Sequence, residues 1–257
     1  MNYTKLTFAI AFSTVIFSCQ KSNVVSPSNA TLSNAIQSNE SSEQSVVRSL
    51  DAAGRSKIQL RPGLTDGQDT YVAYWDGDAS WANGTGDFAQ ELSMMRWTNN
   101  GLPTGTRSFI KFDSLVLVPS NAQVVKATLY LYAKGSSISN LNGNSIYPGS
   151  PYSGYPDNSC VVEGVTGSNW SESNLTWNTQ PSVTSNGRTV IPSSTSQWAY
   201  NANVDVTAIV RKMVANPTSN FGFRLSLSNE SAYRSMIFAS SENADVNKRP
   251  MLVVVYK

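Results

Sequence analysis

"FGFRLSLS", residues 221–228, decides the fold. Phe221, Phe223, Leu225 and Leu227 stand at every second position, and Arg224, Ser226 and Ser228 fill the gaps. A period of two is the pattern of a β-strand with one buried and one wet face. Similar short runs recur at "RSFIKFD" (107–113), "KATLYLYA" (126–133), "SCVVEGV" (159–165), "RSMIFAS" (234–240) and "PMLVVVYK" (250–257). All are rich in β-branched and aromatic residues and are bounded by Gly, Pro, Asn or Ser, which are strand and turn signals.

One segment departs from this period. "VDVTAIVRKMVANP" (204–217) places Ile209, Val210, Met213 and Val214 on one helical face. Asp205 or Thr207 can cap its start and Pro217 follows its end. About ten short strands with one short helix predict an all-β domain over residues 57–257, a single two-sheet jelly-roll β-sandwich. A split into two β domains near 140–158 would leave each half short of strands for its own core.

The composition supports this reading. Of 257 residues, 40% are hydrophobic and only 14% charged. Ser, Thr, Asn and Gly make up the difference, as suits a β-rich extracellular protein with polar loops. The formal charge of +2 gives no broad attraction to nucleic acid or to a membrane surface. Histidine is absent, which excludes Ser-His-Asp and Cys-His catalysis and imidazole zinc sites. The two cysteines are Cys19 and Cys160.

Residues 1–18 read as a signal peptide, with Lys5 before the apolar run "LTFAIAFSTVIF", which is too short to span a bilayer. Ile16-Phe17-Ser18-Cys19 resembles the lipobox of bacterial lipoproteins, which implies acylation of Cys19. Gln20 replaces the Asp that would retain such a protein at the inner membrane, so an outer-membrane or cell-surface lipoprotein is expected. Residues 19–56, rich in Ser and Asn, predict a disordered tether with too little apolar surface to fold. The weak helical pattern of "QSVVRSLDAAG" does not alter this.

Four blocks carry a wider resemblance. "RSFIKFDSLVLVPSNAQVVKATLYLYA", "NWSESNLTWNTQP", "VDVTAIVRKMVANPTSNFGFRLSL" and "FASSENADVNKRPMLVVVY" occur in the order of DNRLRE-type domains. These are grouped as carbohydrate-binding module family 96 and are related to the disaggregatase repeat. "LRPGLTDGQDTYVAYWDGD" (60–78) resembles the first strand of that family. The resemblance implies a secreted, non-catalytic β-sandwich that binds polysaccharide, a member of which binds alginate. The module stands here without a catalytic partner domain, and its Gly/Pro/Tyr-rich insertion at 135–158 is long.

Within this frame "NWSESNLTWNTQPS" (169–182) reads as framework, with Trp177 as a core anchor and Ser171 and Asn174 turning the chain. Glu172 stands alone in it, and a lone carboxylate does not make a glycosidase.

An acidic glycan needs Arg or Lys for its carboxylates and flat aromatic faces for its rings. Strand alternation offers Lys111, Tyr130, Tyr132, Glu163, Arg224 and Arg234 as one wet face, if these strands share a sheet. The competing reading is an internally paired face, with Glu163 neutralising an arginine. Loop aromatics Trp75, Trp81, Trp97, Tyr147, Tyr152, Tyr155 and Trp198 are either tucked under loops or exposed for contact. No cofactor is required. Asp66, Asp69, Asp76 and Asp78 with Glu242 and Asp245 lie in acidic loops that could hold a structural calcium, although their spacing is not that of an EF-hand. Cys160 is expected to be a buried, inert thiol.

Three functions follow: a surface lipoprotein that binds polysaccharide, a structural or adhesive protein working through protein contacts, and a lyase. A lyase without histidine would need a Tyr or Lys base and an Arg to neutralise the uronate, roles open to Tyr130, Lys111 and Arg224.

Overall fold

The computed structural model describes residues 46–63, 67–86, 90–155 and 157–257. The expected signal peptide, Cys19 and most of the tether lie outside the described residues. Among the described residues, twelve strands form two antiparallel sheets with one α-helix, an all-β sandwich of jelly-roll character.

The smaller sheet has the order β1 (Val46–Leu50), β2 (Ser56–Leu60), β12 (Met251–Tyr256), β6 (Val124–Leu131) and β9 (Ala202–Asp205). The larger holds β3 (Gly67–Trp75), β4 (Glu91–Asn99), β5 (Leu102–Phe112), β7 (Cys160–Val165), β8 (Val183–Ile191), β10 (Phe223–Leu227) and β11 (Arg234–Ala239). Strand β5 is its hub. Along one edge β3 pairs with residues 104–112 of β5. Along the other, β4 takes residues 102–106 and β10 takes 108–110. The sheet therefore forks at β5.

Each run read as a strand contains one. The alternation in β10 puts Phe223, Leu225 and Leu227 in the main core. Phe221 does not join them. Gly222, at φ +79°, reverses the chain just before the strand and sends Phe221 to a second apolar cluster. Only glycine fits there, because a Cβ would run into the Ile110 carbonyl.

The main core fills the space between the sheets. Ile58, Leu129, Leu131, Leu252 and Val254 come from the smaller sheet, and Ile110, Phe112, Val162, Phe223 and Leu225 from the larger. The helix α1 (Thr207–Ala215) adds Ile209, Val210, Met213 and Val214, the face read from the sequence. Asp205 Oδ1 accepts from the Thr207 N–H at 2.9 Å, and Thr207 Oγ1 accepts from Ala127 N at 2.9 Å, which ties the helix start to β6.

Residues 46–56 belong to the folded domain and not to the tether expected over 19–56. Val46–Leu50 is a strand, paired with β2 from Val46↔Leu60 to Leu50↔Ser56. The turn "DAAGR" makes the hairpin: Asp51 Oδ1 accepts from Ala53 N and Arg55 N, and Gly54 takes φ +74°. An edge strand paired on one side only can be polar and exposed, so it lacks the apolar signal that marks inner strands.

The 135–158 insertion has a structural task. It covers the outer edge of β11. Ser145 N donates to Ser235 O at 3.0 Å, Ile237 N donates to Asn144 Oδ1 at 2.8 Å, and Asn158 Nδ2 donates to Ser235 O at 2.8 Å. Buried Glu91 accepts from Ile138 N and Ser139 N, with Lys134 Nζ at 3.7 Å. An open sheet edge is thereby closed without a further strand.

Candidate functional site

Register defines the outer face of the larger sheet. Gly105, Arg107, Phe109 and Lys111 alternate with the core-facing residues of β5. Paired residues of neighbouring strands share a face, so Arg96 (opposite Gly105), Val72 (opposite Arg107), Tyr74 (opposite Gly105), Arg224 (opposite Phe109) and Glu163 (opposite Arg224) lie there too.

The loop 169–182 closes over this face. Trp170 packs edge-on to Phe109, ring centroids 5.7 Å apart, with Val72, Val165 and Leu175 around them. Its indole N–H donates to Phe221 O at 2.8 Å. Ser171 N donates to Asn174 Oδ1, which turns the chain as its residue types predicted. The anchor of this loop is thus Trp170, 4% exposed, and not Trp177. Trp177 is half-buried because the loop turns between the two, leaving it over a cationic part of the sheet.

There Trp177 and Tyr74 lie with ring centroids 4.6 Å apart. The Arg96 guanidinium sits 4.9 Å from the Trp177 ring and 5.0 Å from Tyr74, and the Arg107 guanidinium 4.7 Å from Trp177. Glu230, from the β10–β11 loop, faces both arginines. Arg107 Nε and Nη2 donate to its two oxygens at 2.7 and 2.8 Å, and Arg96 Nη2 donates to Oε2. Arg107 Nη1 also donates to Gln180 Oε1 at 3.3 Å. Burial alone would raise the Glu230 pKa, but the hydrogen bonds and charges of Arg107 and Arg96 outweigh it and hold the carboxyl below its ordinary value. Arg96 Nη1 is buried without a partner among the described residues. Two cations facing one anion leave this aromatic-walled cluster a net positive charge.

The residues proposed from alternation do not form one face. Lys111, Glu163, Arg224 and Arg234 share the larger sheet, Arg234 opposite Arg96, but Tyr130 is on the smaller one, opposite Met251 and Asn203. Tyr132 follows β6 and faces the Arg61 guanidinium at 5.9 Å. The cations that do share a sheet are engaged. Lys111 Nζ is 2.8 Å from Asp113 and donates to Asn169 Oδ1 at 3.1 Å. Arg224 is paired with Glu163 at 2.6 Å, the internally paired alternative. Arg234 is buried and donates to the Ser231 and Ala232 carbonyls.

Arg96 and Arg107 carry the cluster instead. Arg107 opens a stretch that reads as a strand, but "SMMRWTNN" has no alternation to place Arg96. The available signal was Asn100-Gly101, a two-residue hairpin turn with both φ values positive (51° and 80°) that joins β4 to β5.

The loop aromatics are mostly tucked. Trp97 meets Tyr152 at 4.6 Å and Tyr233 at 5.2 Å, and Tyr155 meets Tyr233 at 5.4 Å. Trp75 donates to Asn99 O at 3.1 Å and packs edge-on against the more exposed Trp81. Trp198 covers Gly143, where a Cβ would clash with the indole.

Of the acidic loop residues, Asp66 lies outside the described residues. Asp78 and Asp245 cap short 3₁₀ turns, and Asp76 is exposed. Asp69 and Glu242 behave differently. Together with Glu172 they form a cluster in which one carboxylate oxygen of each residue lies within 4.8 Å of the other two. Glu172 is therefore not a lone carboxylate. Burial first, and the neighbouring Glu242 charge second, push the Asp69 carboxyl well above its ordinary pKa.

No curated protein matches this chain. The sequence model of carbohydrate-binding module family 96 matches residues 63–256, from the loop after β2 to the last residue of β12. That span covers most of the sandwich, including Arg96, Arg107, Trp177 and Glu230, and the chain belongs to carbohydrate-binding module family 96.

Proposed function

We propose that this protein is a non-catalytic polysaccharide-binding lipoprotein, held at the outer membrane or cell surface by acylated Cys19, whose sandwich binds an acidic glycan such as alginate. The observation that carries the reading is the pairing of Arg96 and Arg107 with the rings of Trp177 and Tyr74 on the outer face of the larger sheet. A planar guanidinium matches a uronate carboxylate bidentately, and an aromatic face takes the C–H side of a sugar ring. Binding is favoured over lyase chemistry because Tyr130 is on a different sheet from Arg224, and Lys111, the other candidate base, is held by Asp113 and Asn169.

Native electrophoresis of the full chain in non-ionic detergent, through gels containing alginate or a neutral glucan, tests this. Alginate should retard the protein, less so as salt rises, because exposed charges are screened. Arg107→Ala with Trp177→Ala should abolish the retardation, while Lys111→Ala, which removes an ion-paired residue, should not. Glu230→Gln, which frees the guanidiniums, should strengthen it. Absence of retardation by any acidic glycan would overturn the reading in favour of a structural protein acting through protein contacts.

A further inference from the structure

We propose that Asp69, Glu172 and Glu242 form a calcium site that locks three distant segments of the larger sheet together. The residues come from β3, from the loop 169–182 and from the turn after β11, and one carboxylate oxygen of each lies within 4.8 Å of the other two. Asp69 is fully buried. Its Oδ2 accepts from Ser241 N at 2.8 Å, while its Oδ1 is buried with no partner among the described residues. Glu242 repeats the pattern: Oε1 accepts from the Ser241 hydroxyl at 3.0 Å, and buried Oε2 has no such partner. Glu172 is aimed by a hydrogen bond from Asp69 N to its Oε1 at 2.7 Å.

Three like charges in this arrangement are costly, and either a proton held between Asp69 and Glu242 or a cation would relieve them. Buried carboxylates gather hydrogen-bond donors or counter-charges, because desolvating an anion without either is unfavourable. Among the described residues, no Lys or Arg forms an ion pair with Asp69 or Glu242. The Ser241 N–H and hydroxyl instead hold one oxygen of each and leave the other buried without a hydrogen-bond partner among the described residues. A divalent ion there would reverse the local electrostatics, turning like-charge crowding into ligation.

The donors select the ion. All are oxygens, the chain has no histidine, and Cys160 lies in the main core, so a soft-metal site is excluded. Three carboxylates supply one converging oxygen each, and calcium, which takes six to eight oxygens in flexible geometry, would complete its shell with carbonyl oxygens and water. Magnesium demands a tighter octahedron and keeps much of its water. The other acidic loop residues, Asp76, Asp78 and Asp245, are exposed and carry no such unpartnered atoms.

The test uses the full chain in non-ionic detergent, stripped with chelator and titrated with calcium chloride by calorimetry and by thermal melting. One calcium should bind per chain, and at a hundredfold excess over Kd the melting temperature should rise by about 5–10 °C. Asp69→Asn keeps the shape of the side chain and should abolish uptake. It should also leave the metal-free protein at least as stable as the parent, since it removes a carboxyl crowded against two others. Glu242→Gln should behave in the same way and serves if Asp69→Asn does not fold. No uptake by the parent at millimolar calcium, or unchanged uptake in the folded variants, overturns the site. An equal shift with magnesium overturns the choice of calcium. Glycan retardation is read separately, so failure of one reading does not carry the other with it.

Discussion

Glu230 grips Arg107 through both carboxylate oxygens, at 2.7 and 2.8 Å, and shares the second of them with Arg96. One acid thus holds two cations in place beside Trp177. The Glu230 pKa is lowered in the folded state, since the arginine hydrogen bonds and charges outweigh the effect of burial. The unfolded chain therefore takes up this proton at a higher pH than the folded one does. The stabilisation is fully present above the unfolded value of about 4.3 and is lost as pH falls through the lower folded value. Melting temperatures of the parent and Glu230→Gln should converge across that window, with the parent more stable above it. Parallel curves would show that the pair contributes nothing pH-dependent.

The two tryptophans of the 169–182 loop should separate stability from binding. Trp170 fills the second apolar cluster against Phe109 and donates its indole proton to Phe221 O. Trp170→Ala should cost about 3–5 kcal/mol in urea unfolding, as for other buried aromatics. Trp177 is half-buried against guanidiniums, and Trp177→Ala should cost clearly less while weakening alginate retardation. The reverse order of stability losses would mean that the loop hangs from Trp177 instead.

Regular inner elements were legible in the sequence, and the site was not. Alternation marks β10 and β12 because each buries one face, and helical spacing marks α1 because four residues face the core. Edge strand β1 shows no such signal, since its residues are mostly exposed. Strand alternation assigns a residue to a face of its own strand but not to a sheet. Tyr130 and Arg224 could therefore be read as neighbours although they lie on different sheets. Asp69 and Glu242 stand among the acidic loop residues that the sequence offers for calcium, but their meeting with Glu172 is hidden for a related reason. The three are joined by chain folding across 103 and 70 residues, and no local spacing encodes that.

Cys160 offers a check on the core. It is fully buried in β7 as a free thiol, and burial pushes its pKa well above the ordinary value. The thiolate is the reactive form, so the folded protein should resist thiol reagents at this position. In a Cys19→Ser background, Ellman's reagent should titrate no thiol in buffer and one thiol in guanidinium. Rapid labelling in buffer would show that β7 opens far more readily than its place in the sheet implies.

Gly222 tests the turn that splits Phe221 from Phe223. Two penalties meet there. A side chain rarely adopts φ near +79°, and a Cβ would collide with the Ile110 carbonyl and press on Lys111. Because β10 pairs with β5 beside this point, the collision cannot be relieved without disturbing the Phe223↔Ile110 register. Gly222→Ala should therefore cost about 2 kcal/mol or more, within the range of strained backbone positions. Gly149→Ala is the fitting comparison. That glycine also has positive φ, at +83°, but nothing lies within 4 Å of its Cβ position. Its substitution isolates the conformational penalty, and denaturant midpoints for the two variants measure the steric part by difference. Equal losses would mean that the close approach of Gly222 to β5 does not matter to stability.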